Sequence, residues 1–470
     1  MTETISTNPK ISRFLPFLLA VAVFMQLLDA TILNTALPVI AKDLHESALN
    51  MQSAVISYAL TVAVLMPLSG YLCDRYGTRR VFSVSMLLFA VGSVLCASAP
   101  SLTLLVLGRI VQGMGGAMLM PVPRLIVMKT YPRDRLVSVM NYVITPALIG
   151  PVLGPVVGGY LVDYASWHWI FLINVPMGVI GFLLASKILP DYRAKDANQQ
   201  HLDLGGFLLF AGGALGLTLS VETVVHPESR LFSFICVVLG GICLYGYWRH
   251  AKKDDHPLYA TDLLQVRTYR LGLSANLVSR MGINAVPFLL PLLYQLVFGY
   301  SASHSGWMMM PVAVAAMIAK SFINPLTKRF GFRLVLMSNT RLLGVVIMLL
   351  SLASVDNVFW FLLPLLFLMG ICNSIHFSTA NALTIADLRD WQAGSGNSLL
   401  SVNQQLAISI GIALGSLLLN GFHYRVFGGE QLHTAFQYTF VVVGAITFVS
   451  SFIFKHLHPR DGQNLIRKDK

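Results

Sequence analysis

The stretch Gly150-Pro151-Val152-Leu153-Gly154-Pro155-Val156-Val157-Gly158-Gly159 sits inside an apolar run that carries no charge from Ser138 to Leu161. Four glycines and two prolines in ten residues would break a helix in water. Each proline removes a backbone donor, and each glycine costs about 1 kcal/mol against alanine. In a bilayer the same residues are tolerated, because neighbouring helices and local adjustments re-satisfy the freed backbone groups. Gly150, Gly154 and Gly158 are four apart and form a smooth stripe for close packing of a second helix. With Pro151, Pro155 and Gly159 they predict a kinked, closely packed membrane helix, a part suited to a protein that rocks between two shapes.

Working outward, the whole chain has this character. Of 470 residues, 55% are hydrophobic and 11% charged, and the mean hydropathy is +0.68. Soluble domains carry about 25% charged residues, so the composition predicts an all-α polytopic membrane protein. The formal charge of +12 does not imply a nucleic-acid partner. The basic residues lie in short connectors between apolar runs, where topology signals belong. The partners expected are the lipid bilayer and a small-molecule substrate, for a protein acting as a monomer. The five cysteines lie in or beside apolar runs without metal spacing and read as packing residues. The first run, Phe14 to Leu28, lacks a small-residue cleavage site and is expected to stay in the mature protein.

Fourteen runs are long enough for the roughly 30 Å hydrocarbon core. They cover 14–34, 53–73, 81–99, 102–122, 137–160, 168–188, 203–221, 231–249, 271–296, 303–323, 333–353, 358–380, 397–420 and 434–454. An even number places both termini on one side. The connectors and tails of that side hold 27 lysines and arginines, from Lys10, Arg13, Arg75 and Arg124 through to Lys455 and Lys470. The other side holds Lys42, Arg230 and Arg425. The asymmetry predicts cytoplasmic termini. No soluble domain is expected. The connector His250 to Arg270 reads equally as a basic segment lying on the membrane face or as a plain linker.

An internal repeat is legible. The loop Gly70-Tyr71-Leu72-Cys73-Asp74-Arg75-Tyr76-Gly77-Thr78-Arg79-Arg80 is echoed by Pro325-Leu326-Thr327-Lys328-Arg329-Phe330-Gly331-Phe332-Arg333, which keeps the glycine and basic residues but lacks the acid. These residues resemble the major facilitator superfamily, whose loop signature has the form G-x-x-x-D-R-x-G-R-[RK]. Leu105 to Arg109, followed by Gln112, Gly113, Gly115, Gly116 and Ala117, is similar to the superfamily's fourth-helix motif. The 150–159 stretch resembles the fifth-helix motif associated with exporters. Leu28 to Pro38 and Trp167 to Gly178 resemble motifs of the fourteen-span drug:proton antiporters, with His168 departing from the commoner arginine. The resemblance implies two pseudo-symmetric six-helix bundles, in residues 1–200 and 253–470, with two added helices in 201–252. It implies a bacterial inner-membrane exporter that needs no cofactor and draws on the proton gradient.

Asp29 is the only carboxylate well inside a span. A charge there costs about 2.5–3.5 kcal/mol on insertion scales, so it is a functional candidate by default. Desolvation raises a carboxyl's pKa and a nearby cation lowers it, and an acid under both pushes can load and release a proton. A permanently paired, structural Asp29 is the alternative. Arg109 lies too deep to snorkel, and a guanidinium stays charged, so it can tune an acid but not carry the proton. The resemblance implicates it in proton transfer; a hydrogen-bond hub with Gln112 is the bland reading.

Arg280 and Arg341 lie deep in spans 9 and 11. Three interior cations against one anion oppose a cavity for cationic drugs, since a bound cation needs compensation. Organic anions or metal chelates are the alternative cargo, unless these arginines only bond backbone carbonyls. Gln26, Asn34, Asn284 and His376 are further cavity candidates, the imidazole because it changes charge between about pH 5 and 8. Gly70, Asp74, Arg75, Gly77, Arg79 and Arg80 read as a conformational latch. Import by symport and a non-transporting receptor or scaffold are the competing functions. No P-loop, metal-ligand set or nucleophile cluster supports an enzyme or an ATP-driven pump.

Overall fold

The computed structural model describes residues 14–147, 149–194, 202–224, 229–254, 257–459 and 461–462. Lys10, Arg13, Lys195, Arg460, Arg467, Lys468, Lys470 and both termini lie outside them. The described residues form helices and no strand. The first half contains α1 (Leu15–Asp43), α2 (Gln52–Leu65), α3 (Ser69–Tyr76), α4 (Thr78–Ala97), α5 (Leu102–Gly116), α6 (Pro121–Thr130), α7 (Arg133–Ala147), α8 (Gly150–Tyr164), α9 (Trp169–Leu172) and α10 (Asn174–Ile188). Then come α11 (Leu204–Thr223) and α12 (Arg230–Ala251). The second half contains α13 (Arg267–Leu292), α14 (Ala302–Leu349), α15 (Leu363–Ile385), α16 (Asp390–Asn420) and α17 (Leu432–Ser450).

Among the described residues, twelve helical segments are long and apolar enough to cross a membrane. One of them, Ala302–Leu352, contains two helices that meet at Gly331, where φ is 75° and ψ 160°. The broken pair α7 and α8 supplies another crossing, so the architecture is consistent with fourteen. Several expected spans are interrupted where proline denies the ladder a donor. The second breaks into α2 and α3 at the 3₁₀ turn Met66–Leu68, which contains Pro67. The fourth breaks ahead of Pro121 and resumes as α6 as far as Thr130. In the fifth, Pro151 occupies the first turn of α8, where an N–H is unneeded, while Pro155 lies inside.

The two halves repeat one packing scheme. In the first, α1 packs on α8 and α10, and α4 on α5 and α10. In the second, α13 packs on α16 and α17, and α14 on α15 and α17. The repeated loops share one backbone device. Gly77, with φ 90° and ψ 146°, joins α3 to α4 as Gly331 joins the two parts of α14. α1 meets α13, α2 meets α16, and α8 meets α14 across the seam between halves. α11 and α12 pack on each other, and α11 also touches α2 and α16 beside that seam.

The halves are pinned together at one end. Gln295 Nε2 donates to the Thr35 carbonyl at 2.8 Å. Ser416 Oγ donates to the Leu49 carbonyl and to Gln52 Oε1. Asp163 accepts from the backbone N–H groups of Ala302 and Ser303 at 3.3 and 2.7 Å. At the opposite end a cavity of about 490 Å³ separates the halves, lined by Met66, Gly70, Arg124 and Met128 on one side and Ser398 and Ser401 on the other. The connector before α13 is anchored there. Tyr259 is buried, accepts at its carbonyl from Tyr247 Oη at 3.0 Å and contacts Ser398 Oγ at 3.1 Å.

Candidate functional site

The glycine stripe sets the position of α1. A Cβ at Gly154 would lie 2.1 Å from Thr31 Oγ1, and one at Gly158 would lie 2.5 Å from the Ile32 carbonyl. Gly150 faces the backbone of Leu28. Gly159 faces the other half, 2.2 Å from the Ala302 carbonyl by the same measure. α8 is thus wedged between α1 and α14. This close fit holds α1 in one rotation, with Asp29 turned away from α8 toward α5 and α10.

Asp29 and Arg109 are each 1% exposed, and Arg109 Nη1 lies 2.6 Å from Asp29 Oδ2. Asp29 Oδ1 accepts from Gln112 Nε2 at 2.7 Å and from Asn174 Nδ2 at 3.0 Å. Arg109 also donates through Nε to the Ala54 carbonyl at 3.1 Å and through Nη1 to Gln112 Oε1 at 2.6 Å. Its guanidinium lies 4.2 Å from the Tyr58 ring centroid, a cation–π contact. Arg109 and Gln112 are three apart and share one face of α5. Gln112 reaches further, to Ser93 Oγ at 2.9 Å, and Gln26 is buried beside Tyr58. Both charges of the pair are hydrogen-bonded beyond each other, which is the condition under which a buried pair is tolerated, while Gln26 Oε1, Tyr58 Oη and Asn174 Oδ1 around them are buried without partners.

The second half carries a hub around a histidine. His376, 1% exposed, contacts Ser279 Oγ through Nε2 at 2.9 Å and Thr340 Oγ1 through Nδ1 at 3.0 Å. Arg280 and Asn284, one turn apart, share a face of α13. On the opposite face Gly282 meets Val443 and Thr447 of α17, so Arg280 and Asn284 point inward between α15 and α16. Arg280 Nε and Nη1 and Asn284 Nδ2 are buried without hydrogen-bond partners, as is Asn34 Oδ1 on α1. Arg341 is elsewhere: its Nε donates to Ser451 Oγ at 3.3 Å and its guanidinium lies by Phe452.

The 70–80 loop is tied to its own half. Asp74 lies 3.7 Å from Lys129 Nζ. Arg79 donates through Nε to the Leu189 carbonyl at 2.7 Å and through its backbone N–H to Asp191. Gly70 borders the cavity, Arg75 lies beside the Tyr76 ring, and Arg80 is exposed.

Tyr58, Ser93, Ser279 and Thr340 were not legible as site residues, because mid-span hydroxyls are common and only helix rotation shows what they touch. Asp203 was missed too. At the start of α11 it accepts from Gly206 N–H at 2.7 Å, Leu258 N–H at 3.1 Å and His250 Nε2 at 2.7 Å. Asp254 joins it within metal-ligand spacing. Partial burial opposes the charge of Asp203, but those donors outweigh it and hold the carboxyl below the ordinary carboxylate range. With both oxygens already bonded, Asp203 serves as a clasp tying α11 to α12 and to the connector.

Two like bundles of membrane-crossing helices, with a buried ion pair in one and a buried arginine without an acceptor in the other, define a membrane transporter. The chain belongs to the Major Facilitator Superfamily, whose family model matches residues 19–265 and 272–470. It is 41% identical over 458 residues to "Putative multidrug resistance protein MdtD" of Pectobacterium atrosepticum, covering 96% of this chain and 97% of that one. It is 40% identical over 464 residues to "Probable transport protein HsrA" of Haemophilus influenzae, covering 98% and 99%. In fold it is similar to the peptide transporter POT in complex with sulfate, with a TM-score of 0.69, 17% identity and 97% of each chain covered. It is also similar to a D-xylose-proton symporter, with a TM-score of 0.67, 14% identity and 95% and 98% covered.

Proposed function

We propose that this chain is a proton-coupled exporter of small molecules in the bacterial inner membrane. Both termini are cytoplasmic, and the two halves, 1–200 and 253–470, rock about the seam while α11 and α12 flank it. The observation that carries the reading is the Asp29–Arg109 pair, in which a wholly buried carboxylate faces a cation that cannot give up its own proton. Separating the pair leaves Asp29 as the group to be neutralised, and a proton is the smallest means of doing so. α1 also meets α13 across the seam, so rocking of the halves shifts α1 within its own bundle and couples that protonation to the exposure of the cargo site. The relatives' names, with their reference to multidrug resistance and transport, support efflux.

In the arrangement described, the halves meet at the end expected to be periplasmic and part at the end carrying the 70–80 loop. That is the shape that admits cargo from the cytoplasm. In the opposite shape Asp74, Arg75, Arg79 and Arg80 would meet the second half and act as the latch.

The test is flux in proteoliposomes under an imposed proton gradient, with a panel of labelled solutes. Wild type accumulates at least one solute against its gradient. Asp29→Asn loses gradient-driven flux by about tenfold or more (roughly 1.4 kcal/mol or above) yet keeps solute exchange at equal concentrations. Equal gradient-driven flux in both proteins rejects Asp29 as the coupling acid.

A further inference from the structure

We propose that Arg280 is the anion-binding residue of the transport compartment and takes a carboxylate-bearing small solute. The inference rests on the transport reading and supplies its cargo class.

The three interior arginines are not alike. Arg109 has a carboxylate and two further acceptors, and Arg341 has the Ser451 hydroxyl. Arg280 has no hydrogen bond or ion pair among the described residues, and its Nε and Nη1 are buried. A guanidinium remains charged in any protein environment, and a buried donor without an acceptor keeps its full desolvation penalty. Such a group persists where something outside the chain supplies the acceptors.

The surroundings narrow the chemistry. The Phe377 ring lies 4.7 Å from the Arg280 guanidinium carbon, a cation–π contact that uses none of its N–H donors. The guanidinium fork matches the two oxygens of a carboxylate. Asn284 Nδ2, one turn away on the same side of α13, is a second unused donor. The neighbouring imidazole of His376 is already engaged by Ser279 and Thr340. Among the described residues Asp29 is the one fully buried carboxylate, and it is committed to Arg109. A cation entering here meets a like charge with no acid to offset it. An anion gains the partner that Arg280 lacks, and a flat apolar body can lie along the Phe377 ring.

The experiment is equilibrium binding to the full-length protein in phosphatidylcholine nanodiscs. Benzoate, phthalate and succinate serve as anionic probes, with benzyltrimethylammonium and tetraphenylphosphonium as cationic ones. At least one carboxylate binds saturably to wild type, about tenfold or more weaker to Arg280→Gln and with partial recovery in Arg280→Lys. Exposed Lys320→Gln binds as wild type does. The lysine variant separates loss of charge from loss of fold. Carboxylate binding equal in wild type and Arg280→Gln, or saturable binding of the cations alone, overturns the inference. Competition by added phosphatidylglycerol that depends on Arg280 also overturns it, since the site then belongs to a lipid headgroup. Arg280-dependent binding without gradient-driven flux would leave this site standing and remove the exporter reading. Gradient-driven flux of cations alone, unchanged in Arg280→Gln, would do the reverse.

Discussion

Asp29 and Arg109, 80 residues apart in the chain, meet at 2.6 Å in a site where each is 1% exposed. Removing one partner from such a pair leaves a buried charge without compensation, at a cost of about 3–5 kcal/mol. Arg109→Ala is expected to be more damaging than Asp29→Asn, because it also empties the space of a large buried side chain and removes its bonds to the Ala54 carbonyl and Gln112 and its contact with Tyr58, whereas asparagine nearly fills the space of aspartate. The double variant Asp29→Asn/Arg109→Gln is expected to be more stable than Arg109→Ala alone. Melting of the purified proteins in one detergent checks the order.

Gly159 is the point where α8 touches the second half. A side chain there meets the Ala302 backbone, which cannot swing aside as a side-chain tip can. Gly159→Ala is expected to part the halves at the end where Asp163 caps α14, and to narrow the cavity at the other. Spin-label distances across both ends are the measurement. Unchanged distances in the alanine variant would show that the α8–α14 contact does not set the shape.

Gly77 and Gly331 share a backbone conformation that is nearly closed to other residues, with a cost of about 1–3 kcal/mol for a substitution at either. Their surroundings differ. A Cβ at Gly77 would also lie 2.2 Å from Asp191 Oδ1, while one at Gly331 meets nothing within 4 Å. Gly77→Ala is expected to lower the melting temperature further than Gly331→Ala, and Asp191→Ala to recover part of the difference.

Asp203, just outside the start of α11, offers a pH test. Its carboxyl is held below the ordinary range, so its contribution is fully present above the unfolded pKa of about 4 and is lost as pH falls through the folded value. The protection factors of the Gly206 and Leu258 amides, which correct for the intrinsic slowing of exchange in acid, are expected to fall below about pH 4. In Asp203→Asn the same amides are less protected at neutral pH, and their protection changes little on acidification.

Much of the fold could be read from one dimension. Run lengths located most crossings to within a few residues, because the hydrocarbon thickness sets them, but the first and fourth helical segments run on to Asp43 and Thr130, past the expected ends at 34 and 122. The breaks within spans 2 and 4 were missed. A proline ends a helix only where no neighbour compensates, and that depends on packing. Gln26, Asn34, Arg280, Asn284, Arg341 and His376 could be picked out as polar groups in oil. Arg341 nonetheless points to Ser451, while Arg280 points inward with its donors unused.

By itself the sequence determined that this chain crosses the membrane many times, that its halves repeat, and that Asp29, Arg109 and Arg280 lie in its interior. Hydrocarbon tolerates so few charges and broken helices that each one stands out. Which of those charges are paired was decided by tertiary structure alone. The rotation of each helix comes from many small contacts, such as Gly154 against Thr31 and Gly282 against Thr447. A turn of part of one helix would have exchanged the partners without altering a single hydrophobic run.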